Sequence, residues 1–192
     1  MSLFLAPIHY KVFGKVVYQV SLINSLFEAY PNPDLEKEFK QSIGPIENKD
    51  LKDLIDHDNI HGWLQEKIEI CEKFMAKTVE DLLNNGVAIT SLEEFFYQKG
   101  QELKGYETCS DLVGKIFDSF PDGMPCDRAI EALDLGEDQA SWRINTDLHG
   151  KFWKDGGQTY YRLRDSWTKG ISQGNNFSFS KDEIYEVERC TE

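Results

Sequence analysis

Two of the four histidines stand in the same local setting, each directly after an isoleucine that opens an apolar, helix-periodic segment. The segment IHYKVFGKV (8–16) aligns without gaps on IHGWLQEKI (60–68), which places His9 and His61 in equivalent first turns. Histidine is the common metal ligand and the side chain that titrates near neutral pH. If the two helices pack side by side, these rings meet. The alternative is a chance match, because a structural repeat normally shows a longer and more regular period.

A third histidine, His57, stands four residues before His61. On a continuous helix this H-x-x-x-H spacing puts both imidazoles on one face, where they can chelate one ion. The apolar phase changes at 56–59, so the alternative is a polar loop that ends at a helix N-terminus. We predict a site for a divalent metal ion (Zn, Fe or Mn) held by His9, His57 and His61.

Aromatic residues and the last histidine are candidates for a small-molecule pocket. We predict a pocket with Trp63, Trp142 and His149, while aromatics at helical spacing are also typical of a core. Cys126 and His149 can pair as nucleophile and base, although their spacing does not require it. Phosphate-binding and serine-hydrolase motifs are absent from the sequence, so whether the protein is an enzyme stays open.

The acidic balance of the chain limits its partners. The 34 Asp and Glu outnumber the 21 Lys and Arg, and the formal net charge is −13. Such a surface repels phosphate backbones and anionic lipid, so we expect no binding of nucleic acid or membranes. The one basic cluster (Arg162, Arg164 and Lys169) is interpreted as a solvated helix face. The four cysteines form no C-x-x-C pair and no apolar run is long enough for a membrane span, which predicts a cytoplasmic protein.

Periodicity and end signals predict the elements that must position these residues. Asn48 is expected to cap a short turn, and Ser91 with Glu94 matches a capping box. Apolar spacing predicts helices over 7–30, 33–43, 60–85, 91–103, 109–120 and 159–174. The segment 128–135 is compatible with helix or strand. Alternation in 139–146 favours a hairpin of the two, and 177–187 predicts a second hairpin.

The expected fold is α+β and mainly helical, with an N-terminal helical bundle (1–120) and a small C-terminal antiparallel sheet plus helix (121–192) that share one core. Two functions stay open. One is a cytoplasmic protein with a histidine-lined metal or small-ligand site between helices. The other is a non-catalytic regulatory or assembly protein that acts through its acidic surface, and a homo-oligomer is compatible with either.

Overall fold

The computed structural model describes residues 5–46, 49–122 and 127–190. Within them the fold is α+β and mainly helical, as predicted. Asn48, the expected cap, and Cys126, the candidate nucleophile, lie outside the described residues. The chain divides into two compact units: unit 1 comprises the described residues up to Asn84 together with Asp118–Pro121, and unit 2 comprises Asn85–Phe117 and the described residues from Asp122 onward.

Unit 1 consists of three helices with one 3₁₀ turn, Leu51–Asp53, between the second and the third. The helices are α1 (Pro7–Ala29), α2 (Pro33–Ile43) and α3 (Ile60–Asn84). The Asn32 side chain caps α2 as its sequence predicts, because its Oδ1 accepts a hydrogen bond from the Leu35 N–H at 3.1 Å. The longer helices α1 and α3 pack against each other through fully buried aliphatic side chains. These include Val16, Ile23, Leu26, Leu64 and Val79.

Unit 2 combines three helices with one antiparallel sheet. The elements are α4 (Ile89–Gln101), α5 (Cys109–Phe117), β1 (Ile130–Leu135), β2 (Gln139–Ile144), α6 (Gln158–Gly174), β3 (Phe177–Lys181) and β4 (Tyr185–Arg189). The strand order is β1-β2-β4-β3, so both predicted hairpins form and lie side by side. Trp142 on β2 pairs with Tyr185 on β4, and both side chains are buried.

Helices α4 and α6 approach so closely that only glycine fits at two positions. A Cβ at Gly170 would collide with the Tyr97 carbonyl, and a Cβ at Gly100 with the Trp167 carbonyl. The predicted capping box was wrong about where α4 begins. The Ala88 carbonyl already accepts the Ser91 N–H, so the helix is capped three residues earlier, at Ala88, and Ser91 lies inside it.

The grouping of the elements differs from the sequence-based division. Helices α4 and α5 belong to unit 2 with the sheet, whereas the sequence analysis placed them in the N-terminal helical bundle, residues 1–120. The reason is local packing, because α4 lies along α6 and α5 contacts the strands. That residues 1–120 and 121–192 share one core stays a prediction.

Candidate functional site

Unit 1 brings two of the predicted ligands into direct contact. His9 is the third residue of α1 and His61 the second residue of α3, so both rings lie in first turns. Their Nε2 atoms are 3.1 Å apart, and the ring centroids are 5.2 Å apart with planes tilted by 59°. His9 is 7% exposed, whereas His61 is open to solvent. The Ile–His pattern therefore marks equivalent ends of two adjacent helices.

The backbone before α1 determines which nitrogen of His9 carries the proton. The Ala6 N–H donates to His9 Nδ1 at 3.0 Å, while the His9 N–H donates to the Ala6 carbonyl at 2.9 Å. Nδ1 is therefore an acceptor, and a neutral His9 holds its proton on Nε2. This Nε2–H donates to His61 Nε2, which assigns the His61 proton to Nδ1. The pair is an N–H···N hydrogen bond between two neutral rings.

Both the position and the partner of His9 disfavour its charged form. Burial lowers the pKa of His9, and the neighbouring His61 lowers it further. The positive end of the α1 dipole acts in the same direction. A proton added to either ring would place two N–H groups face to face or remove the acceptor of the Ala6 N–H. The contact is thus compatible with the neutral state of both rings.

His57 does not join this pair through a continuous helix. It lies in the exposed segment before α3, and its Nε2 is 3.0 Å from the Lys52 carbonyl oxygen. The described ranges contain no group of three or more His, Cys, Asp or Glu side chains suited to a metal ion. The three-histidine metal site stays a prediction, with two of its members in contact.

Trp63 lies one turn into α3 and packs inside unit 1. Its ring centroid is 6.1 Å from that of Phe13, and the Lys67 ammonium sits 5.3 Å above the indole. The long Lys67 side chain is 11% exposed, and its Nζ is 3.4 Å from a Glu66 carboxylate oxygen. Trp63 therefore packs against α1 at Phe13, one turn further along that helix than His9. Its role in binding a ligand stays a prediction.

The other two predicted pocket residues are in the core of unit 2. Trp142 is 1% exposed, and its ring stacks on Tyr185 with centroids 5.3 Å apart and planes 12° apart. His149 is 2% exposed and stacks on Tyr160 with centroids 3.9 Å apart. These positions match the core alternative for the aromatics, and a pocket role for them stays a prediction.

His149 belongs to a buried charged cluster that the sequence analysis missed. Its Nε2 is 3.2 Å from Asp122 Oδ1, and Arg164 donates from both terminal nitrogens to the two Asp122 oxygens. Burial would raise the pKa of Asp122, but the Arg164 charge and the His149 hydrogen bond outweigh it and lower the pKa to about 2. With side chains 3% and 7% exposed, Arg164 and Asp122 form a buried ion pair.

The interpretation of Arg164 as part of a solvated helix face was therefore wrong. Arg162 is exposed and pairs with Glu93, but Arg164 points into unit 2. A signal for this was present, since Arg164 stands four residues after Tyr160 and three before Trp167, in the apolar phase of α6. Its partner Asp122 lies 42 positions away and carries no sequence signal.

The chain matches no protein-family model, no curated protein and no solved structure. None of the helices in the described ranges of the chain has the length and apolar character that crossing a membrane requires. The histidine pair is the contact with the clearest chemistry, because a short contact joins two imidazole nitrogens and burial lowers the pKa of His9.

Proposed function

We propose that this chain is a non-catalytic regulatory protein whose histidine-lined site, between the first turns of α1 and α3, responds to protons. The observation that carries the proposal is the 3.1 Å contact between His9 Nε2 and His61 Nε2, with Ala6 holding His9 Nδ1 as an acceptor. Together, this hydrogen bond and the Ala6 contact are compatible only with two neutral rings. Acidification therefore breaks at least one of the two contacts, which loosens the first turn of α1 against that of α3 and changes the surface that they present.

Nearby charges are already matched by partners of their own. On α1, Lys11 pairs with Asp118 at 3.0 Å, and on the 3₁₀ turn Lys52 pairs with Asp50 at 3.1 Å. On α3, Lys67 lies over Trp63. The proton response is assigned to the histidine pair, in which burial and the neighbouring His61 lower the pKa of His9.

The experiment is a pH titration of the histidine ring resonances by NMR in the wild-type protein and in two variants. We expect His9 to titrate below pH 6.5 in the wild type and closer to 6.5 in His61→Ala. His57→Ala is the matched control and should leave the His9 titration unchanged. Titration of His9 at or above its ordinary value in the wild type would contradict the proposal.

A divalent metal ion is the second candidate occupant of the same site. Two imidazole nitrogens on a tetrahedral zinc ion lie about 3.3 Å apart, close to the 3.1 Å between these Nε2 atoms. Binding through His9 Nε2 moves its proton to Nδ1, so the hydrogen bond from Ala6 must break. Metal-bound histidines usually donate from this second nitrogen to an acceptor, the reverse of the arrangement here.

Measurement of the metal content distinguishes a divalent metal ion from a proton as the occupant of the site. Protein purified without a histidine tag should contain zinc, iron or manganese in stoichiometric amount if a metal fills the site. His9→Ala and His61→Ala should each remove it, without additivity, because either change breaks the same site. A wild-type protein without metal that still shows the low His9 titration leaves the proton as the occupant.

We expect a cytoplasmic protein with reduced thiols, consistent with the free Cys71, Cys109 and Cys190. We expect no nucleic-acid partner, because the charge of −13 opposes phosphate. A homo-oligomer fits a regulatory role, and size-exclusion chromatography with light scattering at two pH values tests it.

A further inference from the structure

Unit 2 contains an open cleft of about 560 Å³, with a mixed polar and apolar lining, that is separate from the histidine pair. Its walls come from three elements: one face of α6, the segment that follows β2, and the hairpin of β3 and β4. The polar side chains that line it include Asn145, Asp147, Gln158, Tyr161, Asp165 and Lys181. A cleft at the junction of three elements is a common location for a small-molecule site.

Hydrogen bonds hold the polar walls of the cleft in place. The Tyr161 hydroxyl donates to Asp147 Oδ1 at 2.8 Å, and the same oxygen accepts the backbone N–H groups of His149 and Gly150. On the opposite side, Lys181 Nζ donates to Asp165 Oδ2 at 2.6 Å. The walls are therefore organised before any ligand arrives, which lowers the entropic cost of binding.

Hydrogen-bonding capacity remains at the cleft after these contacts are counted. Among the described residues, Asp147 Oδ2 and Asn145 Oδ1 accept no hydrogen bond, and the side-chain amide of Gln158 makes none. The Tyr161 oxygen, as a donor to Asp147, keeps its lone pairs for another donor. The lining thus offers acceptors from carboxylate and amide groups, and both donors and acceptors from Gln158.

Apart from Asp147, the charged side chains at the cleft are balanced in pairs. Lys181 neutralises Asp165 and lies 4.8 Å from the ring centroid of Tyr185, where an incoming organic cation would otherwise bind. Arg162 is engaged by Glu93 through two hydrogen bonds, so it is not free for a phosphate. The Asp147 carboxylate, whose hydrogen-bond donors are all uncharged groups, repels anions. The favoured ligand is therefore uncharged and donates several hydrogen bonds.

We propose that this cleft binds a neutral polyhydroxylated molecule of the saccharide or cyclic polyol class. Each hydroxyl group both donates and accepts, which matches the mixed lining of Asn145, Asp147, Gln158 and Tyr161. The tyrosine rings at the cleft add apolar surface for the C–H face of such a ring. Lys181 Nζ, paired with Asp165, lies 5.9 Å from the Tyr161 ring centroid and 4.8 Å from that of Tyr185.

The test uses the whole protein with D-glucose, D-galactose, D-mannose, N-acetylglucosamine and myo-inositol as separate probes. Backbone amide shifts in ¹⁵N-labelled protein should move around Asn145, Asp147 and Tyr161 for at least one probe, in a saturable manner. Tyr161→Phe should weaken that binding about five- to tenfold, the effect of one hydrogen bond. Tyr10→Phe, an exposed tyrosine of unit 1, is the matched control and should leave it unchanged.

A second variant keeps the proposal testable if Tyr161→Phe fails to fold. Gln158→Ala changes an exposed side chain at the first turn of α6, and it should also weaken binding while leaving the thermal unfolding curve in place. Shifts at the cleft that do not depend on Tyr161 or Gln158 would overturn the proposal. So would the absence of saturable shifts for all five probes.

Discussion

The Nε2 atoms of His9 and His61 lie 3.1 Å apart although 52 positions separate the two residues. Each ring occupies the first turn of its helix, and the packing of α1 on α3 puts the two turns side by side. The Ala6 N–H donates to His9 Nδ1, so His9 Nε2 carries the ring proton and faces His61. The contact thus places His9, whose pKa is lowered in the fold, at the packing interface of α1 and α3.

Acid should destabilise the protein through His9. The fold lowers the pKa of His9, so the unfolded chain binds the proton more tightly than the folded chain. The contribution of neutral His9 to the free energy of unfolding is complete above pH 6.5, and it is lost as pH falls through the lower folded-state pKa. Urea unfolding between about pH 7 and 5 should show this decrease in wild type and a smaller one in His9→Ala. An identical slope in both proteins would mean that other groups carry the response.

Removal of Arg164 should strongly destabilise the protein, because Asp122 would be left as a buried carboxylate without its cation. For Arg164→Met we expect a loss of about 3–5 kcal/mol in the free energy of unfolding. Arg162→Met is a control two residues away, and its exposed pair with Glu93 should be worth less than about 1 kcal/mol. Adding Asp122→Asn to Arg164→Met should recover some of the loss, as chemical denaturation can measure.

The same buried pair predicts the behaviour of the protein at low pH. The pKa of Asp122 is lowered to about 2 in the fold, so its contribution to stability is present above the ordinary aspartate value and is lost as pH falls toward 2. Asp122→Asn should therefore reduce the pH dependence of stability below about pH 4. A curve parallel to that of the wild type across this range would contradict the assignment.

Helix α6 should tolerate no side chain at Gly170. Gly170→Ala places a Cβ against the Tyr97 carbonyl of α4, so the two helices must move apart. We expect this to lower the free energy of unfolding by about 1–3 kcal/mol. Gly114→Ala is the matched control within unit 2, because nothing lies within 4 Å of the new Cβ. At this position the higher helix propensity of alanine should raise the free energy of unfolding by about 0.5–1 kcal/mol. Thermal unfolding of the two variants should shift in opposite directions.

Nucleic acid should not bind at physiological salt. A chain with net charge −13 must overcome repulsion before any contact with phosphate becomes favourable. A gel-shift assay with duplex DNA and single-stranded RNA should show free probe throughout. Micromolar binding that weakens with added salt would show a concentrated basic surface that the overall charge conceals.

Much of the local structure could be predicted from residue type and spacing. Pro33 after the capping Asn32 determines the start of α2, and the apolar repeat from Ile60 predicts the long helix α3. Alternation around Trp142 predicts strand β2. Such signals depend on residues only a few positions apart, so they can be recognised without knowledge of the fold. Their limit is visible at Ser91, where a capping pattern lies inside a helix that begins earlier.

The sequence by itself determined the helices, the hairpins, the negative net charge and the placement of His9 and His61 in first turns. Only the tertiary structure decided that these two rings meet, that His57 contacts the backbone at Lys52, and that the Arg164 side chain is buried. The physical reason is range. Periodicity determines which face of a helix a residue occupies, whereas the neighbour across that face depends on how helices pack over many residues.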